Sequence, residues 1–136
     1  MPIIRSGVQY SGKWTKSQQM QAVAAGTWTG ISFPELYAWG FNGTGQLGLG
    51  DITNRSSPVQ VGALNNWKLV AMGGSSTLAL NMDGKIYAWG NNSAGQLGLG
   101  DTTNRSSPVQ VGALTTWRIM PTSGTATQHT LAITKS

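Results

Sequence analysis

The side chains that could do chemistry are few. The chain of 136 residues has four acids, one histidine and no cysteine. Glu35 stands in a turn after a proline and Asp83 stands before a glycine. Asp51 and Asp101 occupy the same place in two copies of one stretch, so no two carboxylates form a unique pair for general acid–base work. His129 alone cannot build a multi-histidine metal site, and without thiols there is no disulfide or thiolate chemistry. The glycine-rich runs Gly45–Gly50 and Gly95–Gly100 resemble a phosphate cradle only until their flanks are read, because no Lys-Ser or Lys-Thr follows and no helix is predicted to open there. An enzyme is not expected, nor is a cofactor or a bound metal. What remains is Asp51 with Arg55 and its copy Asp101 with Arg105, each pair four residues apart in a turn. Their first role is to tie the loop together, and their second is to offer Arg55 and Arg105 to an anion or a partner.

These loops belong to a stretch that the chain contains twice. Tyr37 to Trp67 and Tyr87 to Trp117 match at a constant offset of 50 and differ at only six of 31 positions (Phe41/Asn91, Gly43/Ser93, Thr44/Ala94, Ile52/Thr102, Asn65/Thr115 and Asn66/Thr116). A tandem period of that size predicts a propeller or solenoid array. Nineteen glycines and the lack of any long run of helix formers predict strands joined by tight turns. The length allows one ordinary domain and falls short of a complete propeller of four-stranded blades.

The strands have a recognisable logic. In Tyr87-Ala88-Trp89 both rings fall on one face and the alanine on the other, and a large face meeting a small one lets successive sheets stack. Leu97 and Leu99 are placed to anchor the glycine loop, Pro108 to open a strand where a missing donor is tolerated, and Asp83-Gly84 to turn a hairpin. Five tryptophans, Trp14, Trp39, Trp67, Trp89 and Trp117, hold repeat positions and are expected in the core. Trp28 is the one outside the pattern. Four Asn-x-Ser/Thr sites, at Asn42, Asn54, Asn91 and Asn104, read as turn residues.

The repeat resembles that of the RCC1 family of β-propeller proteins. The likeness is carried by Tyr37-Ala38-Trp39-Gly40, Gly45-Gln46-Leu47-Gly48, Asp51 and Pro58-Val59 with their copies 50 residues on, and partial copies extend it from Gly7 to Ile133. It implies an all-β fold of about three RCC1-like blades, an open arc or a ring completed by oligomerisation. With strands lettered A (Tyr-Ala-Trp-Gly), B (Pro-Val-Gln-Val), C (the run after Trp) and D (Thr-Leu-Ala-Leu), the chain reads BCD, ABCD, ABCD. That gives a single domain, 1–136, with 1–36 a partial blade lacking strand A, 37–86 the first repeat and 87–136 the second. Residues 15–21 are an insertion that reads either as a loop or as one helical turn. The resemblance also implies a structural hydrogen bond for His129. Family members act as a nucleotide-exchange factor or as a β-lactamase inhibitor through loops on a complete seven-bladed ring. This chain is shorter and carries no added loop, so neither activity is carried over.

The expected function is therefore a non-enzymatic structural or interaction module that assembles through blade faces and edges. Its partner is protein, either itself as a homo-oligomer or a larger assembly. The interface candidates are Val8 and Tyr10 near one end, Leu131 and Ile133 near the other, and Trp28. The loops, rich in neutral Asn, Thr, Ser and Gly, are similar to those of short family members in bacteriophage genomes, which implies a virion surface, decoration or tail component. The alternative is a soluble lectin-like or ligand-binding propeller that takes a glycan. Nine Lys and Arg give a net charge of +5, yet they are scattered singly, and nucleic acid is not expected as a partner. The start, MPIIRSGVQYSG, lacks the apolar core of a signal peptide, and no run approaches the roughly 20 apolar residues of a membrane span. A soluble chain with no membrane partner is the expectation.

Overall fold

The computed structural model describes residues 33–119, 130 and 132–134. The chain divides into two compact units, Met1–Phe33 and Pro34–Ser136, and the second holds every described residue except Phe33. Among the described residues there is no helix. Eight strands follow one another: β1 (Tyr37–Gly40), β2 (Arg55–Gln60), β3 (Trp67–Gly73), β4 (Ser76–Asn81), β5 (Ile86–Gly90), β6 (Arg105–Gln110), β7 (Trp117–Ile119) and β8 (Ile133–Thr134). They form a two-stranded sheet β1-β2, a four-stranded sheet β3-β4-β5-β6 and a two-stranded sheet β7-β8, all antiparallel. The all-β fold is as expected.

The sequence period survives in the register. Ala38 lies opposite Val59 as Ala88 lies opposite Val109, and Gly40 lies opposite Arg55 as Gly90 lies opposite Arg105, with the same shift of register between them. The two copies have folded alike.

The grouping of strands differs from the ABCD reading. The four-stranded sheet takes strands C and D (β3, β4) from one sequence copy and A and B (β5, β6) from the next. The reason is the turn after β4. Asn81 Oδ1 accepts hydrogen bonds from the N–H groups of Asp83 and Lys85, and the Gly84 N–H donates to the Asn81 carbonyl, so the chain reverses at once and β5 must lie beside β4. Between β2 and β3, by contrast, residues 61–66 carry the chain to another sheet. Pro108 also sits differently, inside β6 and not at its start. β6 is an edge of its sheet, where a residue without an N–H breaks no ladder bond on the open side.

The alternation of large and small residues along β5 decides the packing. Ile86 and Ala88 join Leu78, Leu80, Ala71 and Leu97 in one core cluster, against which Trp117 and Ala132 pack. Tyr87 and Trp89 face the other way, with Ala79, Trp67 and Val61, and Leu36 and Ala38 close over them. The Trp67 ring stands edge-on to Tyr87 at 5.4 Å and tilted against Trp89 at 6.1 Å. Each sheet thus offers its ring-bearing face to the sheet before it and its aliphatic face to the sheet after it.

Candidate functional site

The polar centre of each repeat is a loop wound around a buried asparagine. Asn42 and Asn92 are both 0% exposed. The Asn42 Oδ1 accepts from the Leu47 N–H at 2.9 Å, and its Nδ2 donates to the Asp51 and Thr53 carbonyls. Asn92 repeats the arrangement with Leu97 and Asp101. Their own N–H groups donate to Asn54 Oδ1 and Asn104 Oδ1, each at 2.8 Å. A buried amide so fully bonded is structural, and it fixes the glycine loop that follows. Reading the sequence as Asn-x-Ser/Thr turns missed this role. The signal was present: residues 41, 43 and 44 all change between the copies while Asn42 and Asn92 do not.

Arg55 and Arg105 are engaged inside the same loops. The Arg55 Nη2 lies 2.6 Å from Asp51 Oδ2 and its Nη1 donates to the Thr53 carbonyl at 2.9 Å, and Arg105 does the same to Asp101 and Thr103. The Thr53 N–H, followed by Arg55, holds the Asp51 carboxyl below its ordinary 3.8, and Thr103 with Arg105 does so for Asp101. The two arginines tie the loops, as the four-residue spacing suggested. Among the described residues no three His, Asp or Glu side chains come together.

The loop also clasps the next sheet. The Gln46 carbonyl accepts from Trp89 Nε1 at 2.9 Å and from Thr77 Oγ1 at 2.8 Å, and the Gly50 N–H donates to the Ser106 carbonyl. Gly48 has φ +73°, and a Cβ there would lie 2.7 Å from Trp89 Nε1. The glycine is needed for both reasons.

What differs between the copies is exposure. Trp89 is 1% exposed, whereas Trp39, at the same repeat position, is 60% exposed and Tyr37 is 47% exposed. The expectation that Trp39 is core is not met. The cover over Trp89 is the loop one unit earlier, and among the described residues no such loop precedes β1. Phe41, Leu69, Val70 and Met72 are exposed as well. Leu36, Tyr37, Trp39, Val70 and Met72 line one apolar groove of about 360 Å³. Single exposed apolar side chains are ordinary, but a lined groove of them marks an interaction surface. Of the interface candidates, Ile133 lies on β8 and is exposed. Val8, Tyr10, Trp28 and Leu131 lie outside the described residues, as do Trp14, residues 15–21 and His129.

Comparison with known proteins agrees with this architecture. The family model described as the Regulator of chromosome condensation (RCC1) repeat matches residues 35–80 and 83–133, and a second model of the same description matches 67–96. Among solved structures, human WBSCR16 is 27% identical over 68% of this chain, with a TM-score of 0.57. Prp20p from Saccharomyces cerevisiae, whose binding to Gsp1p and histones was studied with its structure, is 19% identical over 74% of this chain, with a TM-score of 0.63. Yeast RCC1 (Prp20), solved with Kap60 bound to it, is 19% identical over 74%, with a TM-score of 0.62. The matches take in 24%, 27% and 26% of those chains, so this chain spans about a quarter of their length.

Proposed function

This chain belongs to the RCC1-repeat family, and from that premise we propose that it is a non-enzymatic structural and interaction module that assembles with protein through its blade faces and edges. The observation that carries the reading is the contrast between Trp89, closed in the core, and Trp39, its repeat equivalent, open to solvent beside Met72 and Val70. An apolar face of this kind costs free energy while wet and is satisfied by association. The protein-bound yeast neighbours support a protein partner. The partner is a second copy or a larger assembly such as a virus particle. The neutral, glycine-rich loops support a place on a bacteriophage virion as a surface, decoration or tail component. Arg55 and Arg105 are spent within their loops and the remaining cations are scattered, which argues against nucleic acid.

Sedimentation across a range of concentrations, with binding of a hydrophobic dye measured in parallel, tests the proposal. Species heavier than the 14.3 kDa chain, growing with concentration as dye binding falls, support it. A monomer at every concentration that binds no dye overturns it, because the apolar faces would then be covered within one chain.

A further inference from the structure

Building on that assembly reading, we infer that the chain joins a second copy by strand addition, β1-β2 of one copy completing β7-β8 of the other into a four-stranded sheet, with the incoming Trp39 seated between Gln96, Gly98, Trp117 and Thr130. The two short sheets are the two halves of the long one. β7-β8 are strands C and D, β1-β2 are strands A and B, and joined edge to edge they give the order already seen in β3-β4-β5-β6. Among the described residues no strand lies on the second edge of either β1 or β8.

The receiving groove copies the one that holds Trp89. Thr130 Oγ1 donates to the Gln96 carbonyl at 2.9 Å as Thr77 Oγ1 donates to the Gln46 carbonyl at 2.8 Å. In the inner copy that same Gln46 carbonyl also takes the Trp89 indole N–H. Gly48 lies against the indole of Trp89, whereas a Cβ on Gly98 would have only Val111 near it, at 3.4 Å. Trp117 stands where Trp67 does. Together with Leu78, Leu97 and Ala132 these residues line an open groove of about 380 Å³.

The donor strand carries the complementary feature. Gly90 has φ +99°, and a Cβ there would lie 2.5 Å from the Ser75 carbonyl, because the neighbouring strand passes that close. Gly40 keeps φ +107° with nothing within 4 Å. It has the conformation for a close approach, and the approaching strand is not among its neighbours. A second copy is the occupant because residues 37–40 repeat the Tyr-Ala-Trp-Gly of 87–90 letter for letter, with both rings exposed. Main-chain pairing would supply the affinity and the Trp groove the register. The two surfaces differ, so the contact is head-to-tail and continues from copy to copy until it closes.

The inner sheet fixes that register. Thr77 lies opposite Trp89 and Ala79 opposite Tyr87, so Thr130 should face Trp39 of the second copy and Ala132 should face its Tyr37. Paired Cα atoms in such a ladder lie about 4.5–5.5 Å apart, within disulfide reach. The chain has no cysteine of its own. Tyr37→Cys with Ala132→Cys in one chain should therefore yield, on mild oxidation, a ladder of covalent oligomers. Ala38→Cys with Ala132→Cys, one residue out of register, should yield about tenfold less. Ala79→Cys with Tyr87→Cys, which should close within one chain, confirms that such a pair oxidises in a folded sheet. Equal yields from the two intermolecular pairs, or none from the first while the control closes, overturn the inference. If the wild-type chain still associates in that event, the assembly reading stands through another surface. If it stays monomeric and binds no dye, both fall.

Discussion

The indole N–H of Trp89 donates to the carbonyl of Gln46 at 2.9 Å, 43 positions earlier in the chain. That one bond joins the glycine loop of one repeat to the ring-bearing strand of the next. Trp67, in the same cluster and almost as deeply buried, has an indole N–H with no hydrogen-bond partner. Trp89→Phe should therefore cost about 1 kcal/mol more than Trp67→Phe, since only the first leaves a buried carbonyl with one fewer donor. Urea denaturation of the two variants measures the difference.

Asn92 holds its loop from inside. Asn92→Ala would strand the Leu97 N–H and the Asp101 carbonyl in a buried site and should cost about 2–4 kcal/mol. Asn91→Phe, which gives the second copy the residue the first carries at position 41, should change stability by less than about 0.5 kcal/mol. The midpoints of denaturant unfolding separate the two.

Much of this architecture was legible before any coordinates. The Asp83-Gly84 turn, the alternation of Tyr87, Ala88 and Trp89, and the loop anchor Leu97 all appear where residue types placed them, because each depends on short-range geometry. The grouping of strands was not read correctly. A period of 50 has no origin, and only the shortness of the turn after Asn81 says that strand D belongs with the following strand A. Asn42 and Asn92 were passed over because a buried asparagine and a turn asparagine look alike in sequence, and only their bonding distinguishes them. Trp39 was misplaced for a third reason. Its letter matches Trp89, but burial depends on the neighbour one unit away.

The loop carboxylates set a pH response. Hydrogen bonds from Thr53 and Thr103, and then the arginines, hold Asp51 and Asp101 below their ordinary 3.8 in the folded chain. A lowered value means that the folded state favours the charged form. The contribution is therefore full above the unfolded-state value and is lost as pH falls through the folded one. Carboxyl carbon NMR titration should show both residues titrating below an unfolded-peptide reference, and Arg55→Ala should move Asp51 upward without moving Asp101.

Trp39 is the side chain on which the account turns. Light scattering after size exclusion should compare the wild-type chain with Trp39→Asp over the same concentrations, with circular dichroism confirming that both are folded. The predicted result is a concentration-dependent mass above 14.3 kDa for the wild type and a folded monomer for the variant. Identical masses for the two, whether monomeric or assembled, would contradict the claim that this blade face is a surface of association.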